Sequence, residues 1–468
     1  MTILTIMSFF FIIKHITVIE NPIHRINLMY SKGLYMIVKP MIRNNICINA
    51  HPIGCAKDVE SQIRFVKQKK NDRKHLSVGP KQVLIIGCST GYGLASRITA
   101  TFEYGASTMG VSFEKPATET KSGTPGWYNN QAFDRAAEKE GVFSLTLNMD
   151  AFSNQCREAV VEEAKKHNMV FDLVIYSLAS PVRTDPVTGT LYRSVLKPVD
   201  TPYTGLTLDM LTGKISQVSV QPAEPKEIAE TIKVMGGEDW ELWIICLQEA
   251  GVLAPHCKTI AYSYIGPEIS KPIYRWGTIG QAKQDLEKAA YRITRYLQKS
   301  NNGSSVSQEE TPHKSLTLID KNRLDGYNSD ITQQDRGAFV SVNKAIVTRS
   351  SAIIPIIPLY LSLLYKVMKA KGTHENAIQQ IERLFTEKLY TEKPIPVDEK
   401  NRLRIDEYEL DKDVQTEVHR RLELLTEENL SQLGDLEGYL QDFMINNGFQ
   451  VEGVDYTADL SRMDDIGA

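Results

Sequence analysis

The sequence predicts an α/β fold: a doubly wound parallel sheet with helices on its faces. Three observations lead there. An apolar run ends in a glycine-rich turn that opens an alanine-rich helical pattern; further strand-like apolar runs follow; and acidic or small residues stand where those runs end.

The first element is the run Gln82-Val83-Leu84-Ile85-Ile86, closed by Gly87-Cys88-Ser89-Thr90-Gly91-Tyr92-Gly93 and continued by Leu94-Ala95-Ser96-Arg97. Strand, tight turn and helix start in that order form a receiver for a pyrophosphate. Gly87 allows the sharp turn, Gly91 lets backbone approach the phosphates, and Gly93 lets the helix pack closely on the strand. The helix N-terminus adds N–H donors and the positive end of its dipole.

The second run, residues 107–113, ends in Phe113-Glu114. A carboxylate at the end of the second strand accepts hydrogen bonds from the adenosine ribose and repels a 2′-phosphate, so NADH is expected over NADPH. Two more runs, residues 143–147 and 171–176, lead to Asp150-Ala151 and Leu178-Ala179. Those positions suit contact with adenine and the nicotinamide ribose. The four strands together read as a Rossmann cofactor core.

Downstream stands Tyr274, with eight residues between it and Lys283. A phenol and an ammonium held together place an acidic hydroxyl at a substrate oxygen, while the cation grips a cofactor ribose and lowers the phenol's pKa. The pair carries weight because a nicotinamide site is expected upstream of it.

These residues resemble a known family. The phosphate turn, Ser112-Phe113-Glu114-Lys115, Tyr176-Ser177-Leu178-Ala179-Ser180-Pro181-Val182-Arg183 and Ala261-Tyr262-Ser263-Tyr264-Ile265-Gly266-Pro267, together with the Tyr274/Lys283 spacing, are similar to the NADH-dependent trans-2-enoyl-CoA reductases. Those are relatives of one class of bacterial enoyl-acyl-carrier-protein reductases and enlarged cousins of the short-chain dehydrogenases. The resemblance spans residues 36–465 apart from one insertion. It implies that Tyr274 is the proton donor, that Lys283 holds the cofactor ribose and that Tyr264 contacts the substrate carbonyl. NAD contacts are implied for residues 87–92, Phe113, Glu114, Asp150, Ala151, Leu178, Ala179, Ile346, Val347 and Thr348. The implied chemistry is hydride delivery to the β-carbon of a trans-2-enoyl thioester in fatty acid biosynthesis, short chains such as crotonyl-CoA included, in a cytoplasmic and monomeric enzyme. Coenzyme A and carrier-protein thioesters both stay open as substrates. A ketone or alcohol dehydrogenase normally has a three-residue Tyr-to-Lys spacing, which this chain lacks at Tyr274, and a non-catalytic NAD-binding protein would leave the tyrosine and lysine without use.

Composition sets bounds. At 468 residues the chain is long for one core. A net charge of −3 without a basic stripe argues against nucleic acid. Six cysteines, Cys47, Cys55, Cys88, Cys156, Cys246 and Cys257, lack metal-ligand spacing, so no metal is expected and the thiols suit a reducing compartment. Cys88, inside the turn, reads either as a small packed residue or as an oxidation-sensitive thiol.

Other segments elaborate the core. Residues 1–35 precede the family-like sequence; their apolar run is too short to span a bilayer, and a start assigned upstream of Met36 or a weak anchor accounts for them. The core is expected over 36–299. Residues 180–224 form a polar cover over the substrate with a small hairpin, in which Arg183, Lys197 and Lys214 either meet coenzyme A phosphates or form a solvated face. Residues 300–336 are a Ser- and Asn-rich inserted loop. From 337 to 468 come the end of the core, a pocket helix in which Ile353, Ile356 and Ile357 limit acyl length, and amphipathic helices with Ile378, Ile381, Leu384 and Phe385 inward. The acidic stretch 407–413 reads as solvated surface.

Overall fold

The computed structural model describes residues 37–43, 46–73, 78–118, 121–301, 336–348, 351 and 354–460. The N-terminal extension, nearly all of the inserted loop and Ile353 lie outside the described residues.

A short hairpin (β1 Ile42–Arg43, β2 Ile46–Cys47) and helix α1 (Pro52–Asp72) precede a strict alternation: β3 Gln82–Ile86, α2 Gly91–Tyr104, β4 Ser107–Ser112, α3 Pro125–Lys139, β5 Ser144–Asn148, α4 Asn154–Lys166 and β6 Phe171–Tyr176. Two antiparallel hairpins follow, β7 Val182–Thr184 with β8 Leu191–Arg193 and β9 Tyr203–Leu208 with β10 Ile215–Val220. The cover therefore holds two hairpins where the sequence suggested one. Helices α5 (Pro225–Met235) and α6 (Glu238–Glu249) return the chain to β11 Leu253–Ser263, α7 Thr278–Asn301 and β12 Gly337–Val342. Then come α8 Ile357–Lys371, α9 Ala377–Arg383, β13 Arg402–Arg404, α10 Lys412–Glu423, α11 Leu430–Leu433 and α12 Leu436–Ile445.

Seven strands form one sheet in the order β13-β12-β11-β6-β3-β4-β5, every pairing parallel. The strand order reverses between β3 and β6, and in such sheets the crevice beyond the carboxyl ends at that point receives the ligand.

Both faces of the sheet are dry. Leu84, Ile86, Val174 and Tyr176 pack with Trp240 and Trp243 of α6 and with Leu286 and Ile293 of α7. Their sequence neighbours Val83, Ile85, Leu173 and Ile175 pack on the opposite face with Val59, Ile98, Phe133, Ile378, Ile381, Leu384 and Phe385. Burial on both sides is why these strands are continuously apolar and show no period of two. The indoles of α6 keep partners on burial, Trp240 Nε1 donating to Thr259 Oγ1 at 2.8 Å and Trp243 Nε1 to the Ala151 carbonyl at 3.0 Å.

A further core surrounds α8, where Tyr360, Leu363 and Leu364 meet Val414 and Val418 of α10 and Tyr439 and Phe443 of α12. This explains the apolar stretch after residue 353: it is covered by the C-terminal helices. Among the described residues no helix is long and apolar enough to cross a membrane.

Candidate active site

The sequence-expected cofactor residues gather along one edge, beyond the carboxyl ends of β3, β4, β5, β6 and β12. Gly87 has φ +90°, and a Cβ there would stand 2.3 Å from the Ser177 carbonyl oxygen. At Gly93 a Cβ would fall 1.8 Å from the Gly87 carbonyl oxygen, so strand and helix meet backbone on backbone. Gly91 opens α2, and its N-cap Thr90 makes no side-chain capping bond. The first N–H groups of the helix thus stay open to an anion. A dinucleotide pyrophosphate fits this cradle.

Glu114 lies beside the turn. Its Oε1 accepts from Ser89 Oγ at 2.6 Å, its Oε2 from Thr124 Oγ1, and its backbone N–H donates to Asn148 Oδ1 at 2.7 Å. The acid is fixed at the end of β4 beside the turn, with Phe113 next to it 76% exposed. Asp150 Oδ1 accepts from the Phe152 N–H at 3.0 Å, and Ala151 is buried at the end of β5. Leu178 and the exposed Ala179 follow β6. After β12, Val347 is buried with its carbonyl taking Asn446 Nδ2 at 2.8 Å, and the Thr348 N–H donates to Ser351 Oγ at 2.7 Å; Ile346 is half-buried beside them.

Two turn residues face inward. Cys88 is fully buried, and burial pushes its thiol up to about 11, so a packed small residue describes it better than a reactive thiolate. Tyr92 donates its hydroxyl to the Lys344 carbonyl at 2.5 Å, and its ring lies 5.6 Å from that of Tyr262.

Tyr264 follows β11 directly, and a loop with one 3₁₀ turn, Glu268–Ser270, carries the chain to Tyr274 and the start of α7. The two rings meet edge to face, centroids 5.1 Å apart and planes at 67°. Tyr264 Oη donates to Glu409 Oε1 at 2.9 Å, whereas the Tyr274 hydroxyl has no hydrogen-bond partner among the described residues. Lys283, on the second turn of α7, donates to the Tyr262 carbonyl at 3.4 Å. Through Tyr262 and Tyr92 it is joined to the phosphate turn.

Burial raises the Tyr274 phenol and lowers the Lys283 ammonium to about 8, with Glu287 opposing the second shift. The sequence reading had the lysine lowering the phenol. Desolvation of the phenolate outweighs any such pull here, so Tyr274 holds its proton at neutral pH.

Arg183 is buried rather than facing a ligand, its Nη1 donating to the Lys233 carbonyl at 2.7 Å and to Glu238 Oε2 at 3.0 Å. Lys197 pairs with Glu227 at 2.6 Å. Neither is free for coenzyme A phosphates. The stretch 407–413 is not all solvated surface, because Glu409 is fully buried under the tyrosines. Glu409 is the residue that sequence reasoning missed, along with its buried neighbour Lys344 just past β12.

Comparison with known proteins now decides the family. The family model described as trans-2-enoyl-CoA reductase catalytic region matches residues 121–312 and 320–390, and that of the NAD(P)H binding domain of trans-2-enoyl-CoA reductase matches 37–119. The trans-2-enoyl-CoA reductase [NADH] of Treponema denticola is 52% identical over 92% of this chain and all of its own. The chain belongs to the trans-2-enoyl-CoA reductase family. The crystal structure of the T. denticola reductase in complex with NAD matches with TM-score 0.82 at 53% identity, covering 91% of this chain and 98% of that one. An enoyl-[acyl-carrier-protein] reductase [NADH] of Cytophaga hutchinsonii is 47% identical over 91% of this chain and 98% of its own.

A third model, described as an enoyl reductase FAD binding domain, matches residues 397–460 of this reductase-family chain. The described residues do not fit a flavin. Tyr439 and Phe443 close this segment onto α8, and the open groove beside it, lined by Leu436, Glu437, Leu440, Gln441 and Gln450, presents a carboxylate and no cation to a pyrophosphate.

Proposed function

We propose that this chain reduces the trans-2 double bond of an enoyl-CoA, with Tyr274 as proton donor and Lys283 as ribose ligand. The observation that carries the assignment is the uncommitted Tyr274 hydroxyl beside the committed one of Tyr264, on the segment that leads into the lysine-bearing helix. The activity is that of its family: an oxidoreductase acting on a CH–CH bond with NADH.

When bound, NADH supplies the hydride that adds to the β-carbon. The electron pair of the double bond moves toward the thioester carbonyl, and the developing enolate oxygen needs a donor. Tyr274, neutral and without a partner among the described residues, fills that role, and the α-carbon ends with the second hydrogen. Lys283 and the turn 87–92 hold the cofactor, Glu114 reads its ribose, and residues 150, 151, 178, 179 and 346–348 complete the trough. Tyr264 borders the carbonyl through its ring. The proposed compartment is the cytoplasm and the proposed state a monomer.

A carrier-protein thioester is the second reading, favoured by the C. hutchinsonii relative's name. Nicotinamide oxidation with crotonyl-CoA and with a crotonyl carrier-protein thioester, beside Tyr274→Phe, tests both. Turnover of the CoA ester that collapses in the variant is the expected result. Turnover on the carrier thioester alone moves the enzyme to the second reading.

A further inference from the structure

Below the two tyrosines, one buried carboxylate is shared by three segments of the site. Glu409, fully buried, sits between β13 and α10. Its Oε1 accepts from Tyr264 Oη at 2.9 Å and from Tyr360 Oη of α8 at 2.8 Å, and its Oε2 accepts from the Ala345 N–H at 2.6 Å. Gln415 Nε2 donates to Tyr360 Oη at 3.0 Å and to the Glu409 carbonyl at 2.6 Å, so the Tyr360 oxygen is supplied from one side and its proton goes to the carboxylate. Burial raises the Glu409 carboxyl, and the charge of Lys344, whose buried Nζ donates to the Ala345 carbonyl at 2.8 Å, opposes that shift. Three donors converge on a group that, ionised, can only accept.

A phenol has one proton to give. With that of Tyr264 given to Glu409, the substrate oxygen has only Tyr274 to draw on. We infer that Glu409 is a positioning residue for the reduction: by taking the Tyr264 proton it holds that ring edge-on against Tyr274 and makes Tyr274 the sole donor to the enolate. The Ala345 bond extends the same anchor to residues 346–348 of the cofactor trough. The inference rests on the assignment of Tyr274 as proton donor.

The test is a double-mutant cycle on the full chain with crotonyl-CoA and NADH, using Tyr264→Phe, Glu409→Gln and the two combined, beside Tyr274→Phe. Each of the first two is expected to lower kcat about tenfold, from the loss of one charge-assisted hydrogen bond. Glu409→Gln should add less than about twofold in the Tyr264→Phe background and leave the KM for NADH within about twofold, because both changes remove the same constraint. Losses that multiply, a loss confined to the KM for NADH, or an unchanged kcat in Glu409→Gln would overturn the inference. So would a Tyr264→Phe variant as inactive as Tyr274→Phe, since Tyr264 would then be a donor itself. Glu409→Asp keeps the charge but withdraws the oxygens by one methylene; if the Gln variant does not fold, its kcat in the two backgrounds makes the same comparison. Full activity in Tyr274→Phe would instead remove the donor assignment, whatever Glu409 does.

Discussion

Tyr264 donates its hydroxyl to Glu409 at 2.9 Å while the hydroxyl of Tyr274, its ring 5.1 Å away, has no partner among the described residues. Two neighbouring phenols on one segment are thereby unequal. Tyr274→Phe is expected to lower kcat for crotonyl-CoA by about 10²- to 10⁴-fold, the usual worth of a positioned acid. The KM for NADH should stay near its wild-type value, and steady-state kinetics with both substrates varied separate the two effects.

Lys283 gives a pH signature. Its ammonium, ordinarily near 10.5, is lowered by burial to about 8, so the cation is present below that pH and lost above it. A ribose ligand that loses its charge binds less well, and kcat/KM for NADH, which reports the free enzyme, should fall as pH rises through about 8. Stability should move the other way: between about 8 and 10.5 the unfolded chain holds a proton that the folded chain has shed, so stability rises with pH across that window. A kcat/KM profile flat through the window would contradict the assignment.

Arg97 tests the cofactor core. It is fully buried in α2, where it donates to Thr108 Oγ1, Thr146 Oγ1, Asp134 Oδ1 and the Leu145 carbonyl and lies 4.2 Å from the Phe133 ring centroid. Removing the guanidinium takes that donor from Thr108 Oγ1 and the Leu145 carbonyl and leaves Asp134, still held by Ser144 and Thr146, without its buried countercharge. Arg97→Ala is expected to cost about 3–5 kcal/mol in denaturant unfolding.

The sequence shows most clearly what burial on both faces dictates. Val83 to Ile86 and Leu173 to Tyr176 read as strands because both neighbouring layers are apolar, and Gly87 reads as a sharp turn and Gly93 as a close approach because nothing larger fits. The hairpins β7/β8 and β9/β10 are less legible, being short, polar and partly exposed. Glu409 was hidden by its company. In the acidic run from Asp406 to Asp413, Asp406 and Glu409 point into the protein while Asp411 and Asp413 point out. No local spacing distinguishes them; only the packing of α8 and β11 against this segment does.

Glu114 should set the choice of cofactor. With both oxygens held by Ser89 and Thr124, the carboxylate cannot swing away from a 2′-phosphate. Glu114→Gln removes the charge at nearly constant shape and is expected to lower the NADH-over-NADPH preference in kcat/KM about tenfold or more, like charges at a binding site costing several kcal/mol. An unchanged ratio would place the discrimination elsewhere.

Ile356 is the residue at which acyl length should be read. It precedes α8 with φ +65°, a conformation that β-branched side chains rarely adopt, and it is buried. Its neighbours are Ile273, next to Tyr274, and Tyr203 and Leu208 of the cover hairpin β9/β10. The side chain therefore joins the hairpin β9/β10, the loop that carries Tyr274 and the start of α8 in one apolar cluster. Ile356→Ala vacates most of that volume beside the loop that carries Tyr274. Each methylene accommodated in an apolar pocket is worth about 1–3 kcal/mol, so the variant's kcat/KM ratio for eight- over four-carbon enoyl-CoA should rise about tenfold or more. The lost packing should destabilise the fold by about 2–5 kcal/mol, less whatever strain the smaller residue relieves. A ratio unchanged from wild type, in a variant whose melting curve shows the expected loss, would mean that Ile356 packs the fold without bordering the substrate.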